Sequence, residues 1–183
     1  RQVGNSSEST MTEKQFLNAL SNGSEDVLQL FLDTLSEHNV PYCVIGGLAV
    51  NAYAEPVVSL DLDIVIAADE IEVVCKILEG RFHIEQFAHS VNLSADTSDL
   101  RIQLQTDPRY QEFIPRAEAR LVLGYRMNVA SLEDVLQGKV WAYSDAQRRA
   151  SKRQKDLADI ARLVESYPRL RDHLPQEIRA RIE

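Results

Sequence analysis

Two aspartates one residue apart, Asp61 and Asp63, sit in the apolar run Leu60-Asp61-Leu62-Asp63-Ile64-Val65-Ile66. The run reads as a strand, where alternate side chains share a face, so both carboxylates point the same way. Like charges side by side on an apolar strand repel each other and resist burial. A divalent cation between them resolves the conflict. Magnesium or manganese suits the pair, because such hard ions take oxygen ligands and share their remaining positions with water and phosphates. Upstream, Gly46 and Gly47 follow the apolar run Tyr42-Cys43-Val44-Ile45. They precede a small-residue segment, Leu48 to Ala54, whose composition favours helix until Pro56 ends it. Glycines between a strand and a helix let backbone amides approach a ligand, and a helix start favours anions. Gly-Gly alone is a common tight turn, and Asp-x-Asp alone a common charged strand end. Together they describe a nucleotide site.

A second cluster is basic. Arg148, Arg149, Lys152, Arg153 and Lys155 fall close together, followed by Asp156 and Asp159. On a helix Arg148, Lys152 and Lys155 share one face. Two readings stand side by side: a solvated, salt-bridged helix start, or a phosphate clamp opposite the aspartates. Trp141 and Tyr143 could stack a base, but on an apolar helix face core packing is the stronger expectation.

The elements that must position these groups follow from periodicity. A short helix is expected over Thr12 to Ser21, and a better one from an N-cap at Ser24, with Val27, Leu28, Leu30, Phe31 and Leu35 at helical spacing. Ala68 to Leu78 also reads as helix. Strands are expected over Phe82 to Phe87, Val91 to Ser94, Leu100 to Gln105, Ala119 to Leu123 and Arg126 to Val129, with a turn at Asp96-Thr97-Ser98-Asp99. Ser131 caps a helix running toward Asp145, and a last strong helix covers Ala150 to Glu165. Helices mixed with a partly antiparallel sheet define an α+β domain.

Composition bounds the rest. The chain has 183 residues, 44% of them apolar, enough for one sizeable core. Three stretches are expected: a flexible segment over 1–11, a main domain over 12–166 and a short helical tail over 167–183. A polar beginning with no signal-like or membrane-length apolar run predicts a cytoplasmic protein that does not engage membranes. Cys43 and Cys75 lie in apolar runs and read as buried thiols. Neither they nor the four scattered histidines have zinc-ligand spacing. The net charge of −8 argues against a surface that coats nucleic acid, though not against a local basic site.

Gly46-Gly47, then a helix-length gap, then Asp61-Leu62-Asp63 and an apolar strand resemble the signature of the nucleotidyltransferase superfamily with the DNA polymerase β-like fold. The resemblance covers about Val40 to Val164 and points to small stand-alone bacterial members, including the AbiEii-type toxin group. It implies a mixed sheet flanked by helices, with further helices at the C-terminal end. It also implies magnesium or manganese on Asp61 and Asp63 and a nucleoside triphosphate as substrate. Gly46, Gly47, Ser59, Lys139 and Lys155 would then contact the nucleotide. Lys139-Val140-Trp141-Ala142 and Lys155-Asp156-Leu157-Ala158-Asp159 match patterns of small members. The acceptor would be a hydroxyl on an RNA end, a protein or a small molecule such as an aminoglycoside. Superfamily enzymes usually carry a third carboxylate on a neighbouring strand. Here Gln103, in Arg101-Ile102-Gln103-Leu104, stands at that place, while Asp99 and Asp107 only flank the strand. Toxin-group members often have an arginine before the aspartate pair, where this chain has Val57. A degenerate alternative follows: a nucleotide-sensing or partner-binding module, or one half of a toxin–antitoxin pair.

Overall fold

A computed structural model describes residues 10–183. The stretch expected to be flexible lies outside the described residues except for Thr10 and Met11, both exposed.

Two helices come first, α1 (Glu13–Leu20) and α2 (Val27–Glu37). Thr12 and Gln15 form a reciprocal capping box at the start of α1. The cap of α2 is Asp26 rather than Ser24. Ser24 is used elsewhere, its N–H donating to the carbonyl of Thr97 at 2.9 Å. Asp26 also accepts from the Tyr125 hydroxyl, which ties α2 to the far strand of the sheet.

The chain then alternates through β1 (Tyr42–Ile45), α3 (Gly46–Val50), β2 (Asp61–Ile66), α4 (Ile71–Leu78), β3 (His83–Gln86), β4 (Ser90–Ala95) and β5 (Ser98–Gln105). After β6 (Glu118–Val122) and β7 (Tyr125–Val129) come α5 (Leu132–Ser144), α6 (Ala150–Ser166) and a one-turn α7 (Gln176–Arg179). The strands form one seven-stranded sheet in the order β3-β4-β5-β2-β1-β7-β6. β2 pairs parallel with β5 and β1 parallel with β7; the other pairings are antiparallel. This is a mixed α+β architecture with flanking helices.

Burial explains the arrangement. Every residue of β1 is buried, so that strand is covered on both faces. Along β2, Leu62, Ile64 and Ile66 face the core, while Asp61 and Asp63 alternate to the other side and are half-buried. β5 repeats the pattern, with Leu100, Ile102 and Leu104 inside and Arg101, Gln103 and Gln105 on the aspartate side. Truncating a fully buried side chain such as Ile64 to alanine costs about 2–5 kcal/mol.

Two local departures from expectation have simple causes. α3 ends at Val50 instead of running to Ala54, because the Asn51 side chain pairs with both backbone groups of Val57, at 2.7 and 2.9 Å. A 3-10 segment, Pro108–Arg116, was not anticipated. Its three-residue period stacks Tyr110 and Phe113 on one side, where both pack against Trp141. Trp141 is therefore a packing residue. The tail is part of the same core, since Leu170, Leu174 and Ile178 are buried in it. Cys43 and Cys75 are buried free thiols. Among the described residues no helix is long and apolar enough to cross a membrane.

Candidate active site

The β1–α3 turn carries the glycines to the aspartates. Gly46 has φ of +71°, a conformation that disfavours any side chain. A Cβ there would fall 2.4 Å from Asp63 Oδ2, so the glycine is needed both for its backbone angle and for the close approach of Asp63. Gly47 differs. A Cβ there would meet nothing within 4 Å, which leaves its backbone open to a ligand. Both glycines open α3, and the first N–H groups of a helix have no partner within it.

A cavity of about 540 Å³ lies over this turn and over the aspartate side of β2 and β5. Gly46, Gly47, Ser59, Asp61, Asp63, Gln103, Lys139, Lys152 and Lys155 all line it, so the residues singled out in the sequence are brought together. Arg148 joins them from the turn before α6. The sheet register sets two polar rows across four strands. One is Glu85, Asn92, Gln103, Asp63; the other is His83, Ser94, Arg101, Asp61. Gln103 is thus the direct neighbour of Asp63. Asp99 accepts from Asn22, and Asp107 caps the 3-10 segment and pairs with Arg109. Neither is a third acid for the site.

The aspartates differ electrostatically. Asp61 Oδ1 lies 2.9 Å from Arg101 Nε. The Asp63 carboxylate has no side-chain partner among the described residues. Burial pushes its pKa above the usual carboxylate range, Lys139 opposes the rise, and Asp61 adds to it. A desolvated carboxylate of this kind is normally paired or holds a metal. Among the described residues no three His, Cys, Asp or Glu side chains converge as a metal group. The site offers an ion two carboxylates and the Gln103 amide. That set fits one magnesium or manganese ion that keeps water and phosphate in its other positions.

Lys139 departs from the free phosphate ligand expected of it. It is only 7% exposed, 3.1 Å from Asp156 and 2.8 Å from Asp159, both buried. Burial works to lower its pKa, but the two carboxylates outweigh that and hold the ammonium above its ordinary value. Arg148 adds a second cation to Asp156 at 2.6 Å. Arg162 pairs with Asp159 and reaches the Asn51 side chain and the Glu55 carbonyl. Lys139 therefore joins α5 to α6 and helps fix the loop leading to β2. Lys152 and Lys155, by contrast, are exposed and have no ion-pair partner among the described residues. The Ser59 hydroxyl oxygen accepts from the Asp61 N–H at 3.2 Å, capping the strand at the cavity edge.

Sequence reasoning missed Arg101 and Tyr110. Alternation alone places Arg101 on the face of Gln103, but its position beside Asp61 needs the β2–β5 register. Tyr110 sits in the unanticipated 3-10 segment, where burial raises its hydroxyl pKa to about 12.

These strands, turn and helices make the nucleotidyltransferase fold. A lincosamide antibiotic adenylyltransferase with lincomycin bound is similar at 15% identity, over 78% of this chain and 99% of that one, with a TM-score of 0.54. The antibiotic-resistance factor ANT(2")-Ia in complex with adenylyl-2"-tobramycin is similar at 16% identity, over 85% and 94% of the two chains, with a TM-score of 0.57. An antigenic nucleotidyltransferase-like protein from Paracoccidioides brasiliensis is similar at 18% identity, over 81% and 75%, with a TM-score of 0.50. No family model and no curated protein matches the chain.

Proposed function

We propose that the protein binds a nucleoside triphosphate between the Gly46-Gly47 turn and the Asp61–Asp63 pair and transfers its nucleoside monophosphate to a hydroxyl of a small-molecule acceptor. The observation that supports this is the close approach of Gly46 to Asp63, with the glycine turn and both carboxylates lining one cavity. The backbone amides of Gly46 and Gly47 bind phosphate oxygens, and Lys152 and Lys155 add point charges. Asp61 and Asp63 would hold magnesium or manganese, and the ion would supply positive charge that polarises the α-phosphoryl group. The acceptor oxygen bonds to the α-phosphorus as the bond to pyrophosphate breaks, and the hydroxyl proton passes to solvent water. Lys139 keeps its positive field on Asp63 and its hold on α6.

A small acceptor suits a cavity of this volume. The Asn92 amide oxygen is buried without a partner among the described residues and can take a donor from it. The net charge of −8 weighs against a long nucleic acid. Two of the solved structures with this fold are antibiotic-modifying proteins, which favours the same reading.

Calorimetric titration of each nucleoside triphosphate with magnesium tests the site. At least one should bind, and the double variant Asp61→Ala, Asp63→Ala should lose that binding. Binding to none, with the variant indistinguishable, would refute the reading.

One observation favours a second reading. Gln103, paired with Asp63, carries no charge and takes no proton. A fold kept for nucleotide sensing or partner binding, as in a toxin–antitoxin pair, needs no third acid. Labelled nucleotide incubated with protein and cell extract separates the two, because transfer of label excludes the sensing module. The transferase reading predicts faster labelling by Gln103→Asp.

A further inference from the structure

We propose that Arg101 is a resident cation of the nucleotide site. Its guanidinium holds Asp61 and offers its free edge to the nucleotide's phosphates, so the site takes one divalent ion per chain and not two. This rests on the nucleotide reading above.

Three observations carry it. The β2–β5 register sets Arg101 directly beside Asp61, and their side chains meet at 2.9 Å inside the cavity. Only Nε is used in that contact. Both terminal nitrogens of Arg101 lack a protein hydrogen-bond partner among the described residues, and the side chain is 72% exposed. A guanidinium presents its donors as a planar fork that matches two phosphate oxygens, so one arginine can hold a carboxylate and a phosphate together. Finally, the carboxylates available are two, because Gln103 replaces charge with an amide at the neighbouring position. Two acids and one guanidinium leave the protein side of the site with a single net negative charge, which one divalent ion already exceeds and a second would find nothing to offset. A second ion would meet Arg101 at the carboxylate it needs and would find no third acid.

An exposed cross-strand ion pair is by itself worth little. What sets this one apart is its place on the carboxylate pair with its remaining donors turned to no protein group.

Native mass spectrometry of the full chain with manganese and a non-hydrolysable triphosphate analogue counts ions directly. One Mn²⁺ per nucleotide complex is expected; two would overturn the proposal. Titration of the same analogue into Arg101→Gln should show affinity reduced about tenfold or more, as for loss of a charge-assisted phosphate contact. Its thermal midpoint should stay near that of the wild type. Arg101→Lys, which keeps the charge but not the fork, should fall between. Unchanged affinity in Arg101→Gln would overturn the proposal while leaving the nucleotide site standing. Failure of the wild-type protein to bind nucleotide would overturn both.

Discussion

Lys139 lines the cavity, yet its ammonium is committed to two carboxylates beneath it. It sits between two buried carboxylates, Asp156 and Asp159, each needing a cation to remain charged away from water. Removing Lys139 leaves each carboxylate one arginine, Arg148 on Asp156 and Arg162 on Asp159, so the cost stays below the about 3–5 kcal/mol of an uncompensated buried charge. Lys139→Met should therefore lower the urea-unfolding free energy by about 1–3 kcal/mol, and the loop held through Arg162 and Asn51 should loosen with it. The pH dependence has a definite sign. Lys139 has a folded pKa above its unfolded value, so the stability it contributes is complete below about pH 10.4 and is lost as pH rises through the folded value. The gap between wild type and Lys139→Met, measured by urea unfolding, should stay constant from neutrality to about pH 10 and narrow above it. A gap that does not narrow would mean that Lys139 acts by packing alone.

The β1–α3 turn makes a sharper test, because its two glycines differ in what surrounds them. Alanine at Gly46 meets a left-handed backbone, costing about 1–2 kcal/mol, and a collision with the Asp63 carboxylate as well. Alanine at Gly47 meets open space in the first turn of α3, where it is the better helix former by at most about 1 kcal/mol. Gly46→Ala should thus lose stability and nucleotide binding together. Gly47→Ala should unfold no earlier than wild type yet bind nucleotide about tenfold more weakly, a loss of about 1.4 kcal/mol. Thermal melts and titration on both variants check this. Equal effects in the two would show that the turn does not approach a phosphate. The turn was legible in the sequence because glycine types and strand alternation are local signals. The cap at Asp26 was not, because Ser24 is drawn away by Thr97, a contact made only once the hairpin is folded.

Across the molecule the same division holds. The mixed sheet, the shared face of Asp61 and Asp63, and the gathering of Arg148, Lys152 and Lys155 on one cavity follow from patterns within short stretches. The pairing of Asp61 with Arg101, and of Lys139 with α6, depends on parallel register and helix packing between distant segments. No single stretch encodes either. Gln103 lies between the two cases, since its residue type was plain but its place beside Asp63 awaited the register. The central claim is that the paired acids and the double glycine hold one nucleotide between them. It is tested most directly by a crystal grown with manganese and a non-hydrolysable nucleoside triphosphate. The account predicts anomalous density touching both Asp61 and Asp63, with the triphosphate along Gly46 and Gly47 and toward Lys152 and Lys155. Manganese away from Asp63, or a nucleotide bound off that turn, would contradict it.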